Sequence, residues 1–128
     1  MQSTIKTSRL SYPDTVGALS KAIANAGNSI FATIDQAAAA AGVGLTLRPT
    51  TLIVFGNPKG GTGLMAAFPL AALDLPLKLV VWEEDGAVKV AYVPASVIAE
   101  RYGVTGMDAL IANMDHALDA LTGLVAES

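Results

Sequence analysis

Apolar residues in this chain recur in two rhythms, broken by clusters of Gly, Pro, Asn and Asp. Period-two and continuous apolar runs predict strands; spacing of three to four predicts helices. Ser3 to Arg9 alternates weakly around Ile5 and predicts a first strand. Ser11-Tyr12-Pro13-Asp14 is a helix start, with Ser11 able to cap and Pro13 tolerated in the first turn. Val16, Leu19, Ile23 and Ala26 follow at helical spacing, and Gly27-Asn28 ends the helix. Ile30 to Ile34 predicts a short strand. Asp35 then caps an alanine helix, Gln36 to Ala41, which Gly42 stops.

The stretch from Leu47 to Val93 organises the rest. It predicts a strand over Leu47–Phe55, a glycine loop over Gly56–Gly63 and a short apolar helix over Leu64–Leu73. Pro49 confines the strand's start to an edge or to its first residues. The continuous run Leu52-Ile53-Val54-Phe55 predicts cover on both faces. Beyond Asp74-Leu75-Pro76, strands Leu77–Glu83 and Ala87–Val93 flank the hairpin signal Asp85-Gly86. Val88, Val90 and Tyr92 share one face, with Lys89 opposite, and Trp82 is expected across from Tyr92. A short helix over Pro94–Tyr102 ends at Gly103. Thr105 is the expected cap of a last helix whose stripe is Met107, Leu110, Ile111, Met114, Leu118, Leu121 and Val125.

This order predicts an α+β fold: a mainly antiparallel sheet with helices packed on one face, and one crossover between the first two strands. With 128 residues and no internal repeat or linker, residues 1–128 are read as a single domain. Charged residues make up only 15% and alanine carries much of the apolar content, which points to apolar surface covered by a second subunit. The net charge of −3 without a basic cluster argues against a nucleic-acid partner. No run approaches the ~20 apolar residues of a membrane span. The opening Met1-Gln2-Ser3-Thr4-Ile5-Lys6-Thr7 has no apolar leader region, and cysteine is absent, so a cytoplasmic location is expected.

Candidate chemistry is sparse. Lys59-Gly60-Gly61-Thr62-Gly63 echoes a phosphate loop, but Leu64-Met65 stand where the essential Lys-Ser/Thr pair belongs, so ATPase chemistry is rejected. A weaker ligand site remains, in which Asn57, Lys59, Gly60, Gly61 and Thr62 offer backbone amides to a carboxylate or phosphate; the plain alternative is a tight turn. His116 is the only histidine, and without cysteine it makes no usual zinc site, so no metal is assigned. It reads as a partly buried packing residue, with axial haem ligation the weak alternative; no cofactor is identified. Asp74, in Leu-Asp-Leu-Pro, reads as an Asx-type turn residue. Asn57-Pro58 is expected to stiffen the turn, with Asn57 buried and bonded to the backbone after Pro58.

The central stretch resembles the family catalogued as domain of unknown function 302, whose structural prototypes are called TT1751-like. The resemblance is carried by Thr33-Ile34-Asp35-Gln36-Ala37-Ala38, Gly42 to Leu47, Pro49 through Lys59, Leu73 through Lys78, Val81-Trp82-Glu83, Asp85-Gly86 and Val90-Ala91-Tyr92. Phe-Gly-Asn-Pro and Leu-Asp-Leu-Pro stand in the family's order and spacing. The resemblance implies an antiparallel sheet packed by helices and no established activity. It also implies that many members carry histidine at the position of Gln36. A metal or proton-transfer role of that histidine is then lost here; a helix-start packing role is not.

Three readings follow. The first is a homodimeric, non-catalytic module binding a small or anionic ligand. The second is an enzyme with Asp74 or His116 as general base beside the Gly56–Gly63 loop. The third is a structural or protein-interaction domain.

Overall fold

The computed structural model describes residues 2–128. Five strands form one antiparallel sheet: β1 (Thr4–Thr7), β2 (Ser29–Asp35), β3 (Thr50–Gly56), β4 (Leu77–Glu84) and β5 (Ala87–Tyr92), in the order β1-β5-β4-β3-β2. The first two strands lie on opposite edges. Helix α1 (Tyr12–Asn25) carries the chain between them, which is the predicted crossover. Ser11 caps α1 through Asp14 N (3.2 Å), and Gly27 leaves the helix at positive φ. The β4–β5 hairpin turns at Asp85-Gly86, both at positive φ, as a two-residue turn of this type requires.

The pleat sorts the apolar residues. Ile53 and Phe55 on β3, Leu79 and Val81 on β4, and Val88 and Val90 on β5 are buried in one core with Leu19 and Ile23 of α1. Leu64 of α3 (Pro58–Ala67) joins them, as do Leu118 and Leu121 of α5 (Asp108–Gly123). The helices therefore cover one face. On the other face Leu52, Val54, Val80 and Trp82 are only half-buried, so the continuous run on β3 has its second face uncovered within this chain.

Several boundaries differ from the sequence reading. The glycine loop is largely helix: α3 starts at Pro58, because Asn57 caps it and Pro58 has the φ of a first helical position. The apolar run is split. α3 ends at Ala67, and a 3₁₀ turn runs Pro69–Leu73, since a proline disfavours the helical region at the preceding Phe68. Trp82 lies opposite Lys89, not Tyr92, and Tyr92 pairs with Thr4. Thr105 does not cap α5. Gly106 adopts positive φ and Met107 stands at the cap position without a side-chain bond.

Two long-range contacts fix the helices. Asp115 of α5 accepts from Ala95 N (2.6 Å) and so caps the short helix α4 (Ala95–Arg101) across space. At the chain's extremities, Arg9 N donates to Val125 O and Glu127 N to Thr7 O, and Lys6 pairs with Asp119 at 2.7 Å.

Candidate functional site

A cavity of about 500 Å³ lies between α3, α5 and the end of the sheet where β3 meets β4. Phe55, Leu75, Leu77 and Leu118, all buried, form its inner part. Gly60, Gly61 and Met65 supply the α3 wall; Met114 and Ala117 supply the α5 wall. The exposed residues Phe31, Asn57, Thr62 and Asn113 belong to its rim, together with Asn28 and Pro58. Small residues make this space. A Cβ at Gly60 would touch Leu110 and one at Gly61 would touch Met65, each at an ordinary 3.7 Å, so neither glycine is forced by sterics. Their effect is to keep the wall bare.

Of the residues singled out from the sequence, Asn57, Gly60, Gly61 and Thr62 come together here; Lys59 is exposed and does not line the cavity. Asn57 makes the expected backbone bond, accepting from Lys59 N at 3.0 Å. It is exposed rather than buried, because β3 ends at Gly56 and the cap stands on the rim. The amides proposed for an anion are already used. Gly60 N and Gly61 N both donate to Asn57 O (2.9 and 3.1 Å), Lys59 N is capped, and Pro58 has no N–H. Thr62 Oγ1 donates to Pro58 O at 2.6 Å. Among the described residues no Asp, Glu, Lys, Arg or His lines the cavity, and its polar side chains include the carboxamides of Asn28, Asn57 and Asn113.

Asp74 and His116 lie elsewhere. Asp74 Oδ2 accepts from Arg101 Nη1 (2.6 Å) and from the Tyr102 hydroxyl (2.7 Å), which ties the 3₁₀ turn to α4. The Tyr102 bond is the main influence lowering its pKa; burial opposes it and Arg101 adds to it. A carboxylate so held is a poorer base than usual, and its Oδ2 accepts both bonds. His116 is exposed on α5, not part of the packed stripe, since it falls off the face bearing Met114 and Leu118. The acid–base arrangement considered from the sequence is therefore not formed around the loop. Sequence reasoning missed Phe31 and Ala117 as cavity residues. Phe31 is the extra residue of a β-bulge between Ile30 and Ala32, which period-two reading does not register.

The second recess lies on the uncovered sheet face. It encloses about 400 Å³ over Ile5, Leu52, Val80, Trp82 and Ala91, with Asp74, Lys78 and Arg101 also lining it.

Comparison with known proteins agrees with the fold. The family described as "Domain of unknown function DUF302" matches residues 4–121. A crystal structure of an uncharacterized conserved protein DUF302 from Bacillus stearothermophilus superposes with a TM-score of 0.87 over 96% of this chain and 97% of that one, at 18% identity. Two proteins named fluoride-specific ion channel FluC 1, from Brucella suis biovar 1 (strain 1330) and Brucella abortus biovar 1 (strain 9-941), are each 41% identical over 83 residues. That match takes in 65% of this chain and 32% and 30% of theirs, so the chain spans about a third of the length of these relatives. No helix among the described residues is long and apolar enough to cross a membrane.

Proposed function

The chain belongs to the DUF302 family, and from that premise we propose that it is a homodimeric, non-catalytic module whose ligand is a small, neutral, mostly apolar molecule. The uncharged cavity between α3 and α5 carries this reading. An apolar pocket with a few convergent polar groups is the usual form of a small-molecule site. Here carboxamides supply those groups, which suit a hydroxyl, carbonyl or amide at one end of the ligand. An anion would find neither a cation nor a free helix-start N–H.

A panel of neutral apolar compounds, carboxylates and phosphates, scored by thermal shift, tests the reading. Neutral compounds should raise the melting temperature of the wild type and not of Ala117→Trp, in which the indole occupies the cavity. A shift produced by anions alone refutes it. Sedimentation at micromolar concentration tests the dimer, which the exposed apolar side chains Ile34, Val43, Leu45 and Leu47 favour.

The Brucella relatives favour a second reading, a domain working beside a membrane channel. Direct fluoride binding is not part of it, because the cavity offers no charged donor. Co-purification in detergent with a relative's chain shortened by its matching segment is the test; failure to associate removes this second reading.

A further inference from the structure

Two parts of the described residues are left largely exposed, and each has the chemistry to cover the other. The first is segment 36–49, between β2 and β3. Its helix α2 (Gln36–Ala41) buries no residue; only Ala37 and Ala40 are even half-buried, and Val43 and Leu45 are 74% and 66% exposed. No charge occurs between Asp35 and Arg48. An alanine helix alone needs about 12–15 residues to be even marginal in water. This one has six and a single side-chain cap, Asp35 Oδ1 on Ala38 N at 2.9 Å. Its own chain packs it against β3 and leaves it largely exposed.

The second part is the uncovered sheet face. Strand register places Ile5, Ala91, Val80, Leu52 and Ile34 in one row across all five strands. Trp82 stands beside that row, and the recess of about 400 Å³ lies over it. The floor of this recess is apolar, with Asp74, Lys78 and Arg101 also lining it; residues 36–47 of the segment carry no charge, and its Arg48 faces Glu84 at 3.6 Å.

We propose that a second copy of this chain seats its 36–49 segment in the sheet-face recess, reciprocally, about a two-fold axis. The claim rests on the dimer in the proposed function and names its surfaces. An isologous contact uses the same patch on both copies, so each partner buries its own recess and its own segment together. Five strands about 4.8 Å apart and about six residues long make a footprint of roughly 500 Å² before the segment is added, which approaches the ~800 Å² per partner of a standard interface. Asp35 at the segment's start and Lys78 at the recess lie outside the three ion pairs among the described residues, so opposite charges remain for the two ends.

The absence of native cysteine makes a direct test simple. Val43→Cys and Ile5→Cys variants are each folded, mixed and oxidised; a disulfide between the two different variants should form faster than either self-pairing. In sedimentation, Val43→Asp and Leu52→Asp should each raise the dimer dissociation constant about 100-fold or more, because each puts a carboxylate into the apolar contact, where the cross-strand neighbours of residue 52 are Val80 and Ile34. Unchanged circular dichroism identifies a variant that still folds. A wild-type dimer unaffected by both substitutions, with no preferential cross-link, overturns these surfaces and leaves the dimer standing. A wild type that is monomeric at all concentrations overturns both.

Discussion

Replacing Asn57 by alanine should weaken the domain by about 1 kcal/mol, the usual worth of a helix N-cap. The perturbation removes Oδ1, which accepts from Lys59 N at 3.0 Å. Because Asn57 stands exposed at the end of β3, the released N–H meets water. The larger cost of a buried, unpaired donor therefore does not arise. The helix that depends on this cap is intrinsically weak, with Gly60, Gly61 and Gly63 among the ten residues of α3. At an unfolding entropy of about 2.1 cal/mol/K per residue, 1 kcal/mol corresponds to roughly 4 °C in melting temperature for a chain of this size. The assay is a thermal melt by circular dichroism, with Asn57→Ser as the control that keeps an acceptor in place. Asn57→Ser should stay within about 1 °C of the wild type. If Asn57→Ala melts with the wild type, or if both variants fall equally, the cap does not hold α3.

Gly63→Ala should do the opposite. Its position is helical with open space around a Cβ, so replacing glycine stabilises by about 1 kcal/mol and raises the melting temperature by a similar few degrees. Asp115→Ala should cost about 1–2 kcal/mol in denaturant titration, because Ala95 N and Ser96 N at the start of α4 lose their acceptor; Asp115→Asn should recover most of it. Asp74→Asn tests the acid limb. Folding lowers the Asp74 pKa, so its stabilisation is present above the ordinary carboxylate value of 3.8 and is lost as pH falls through the lower folded value. The stability gap between wild type and Asp74→Asn should therefore hold at pH 7 and close below about pH 4.

The sheet was legible because its signals are local. Asp85-Gly86 fixes a hairpin register by itself, and the alternation of Val88, Val90 and Tyr92 says which side of β5 is inward. The α3 start was obscured because glycine and proline are read as loop formers, whereas here an asparagine cap and a proline at the first helical position outweigh the propensity of three glycines. The split at Phe68-Pro69 follows from a rule visible in the sequence, yet a ten-residue apolar run masks it. The cavity was half legible. Asn57, Gly60, Gly61 and Thr62 are contiguous and were found by their turn chemistry. Phe31, Met114 and Ala117 reach it from elements far away in sequence, and no local pattern distinguishes a cavity wall from a core. The Asp115 cap on α4 is likewise a property of tertiary placement, since a cap twenty residues from its helix leaves no spacing to read.

The pairing of β1 with β5 has a consequence in time. Thr4 waits for Tyr92, and Lys6 reaches Asp119 across 113 residues of chain. Synthesis proceeds at about 5–20 residues per second, so a nascent chain carries an unpaired first strand for roughly 5–20 s. During that interval β2 to β4 can already form, because their ladders are nearer neighbours along the chain. The exposed β4 edge then offers Leu79, Val81 and their backbone groups to any other strand until the β5 hairpin closes over it. A two-residue turn makes that closure fast, on the order of microseconds once both strands exist. The outer strand β1 remains the late arrival, and the ribosome, rather than the conformational search, sets when the sheet can be finished.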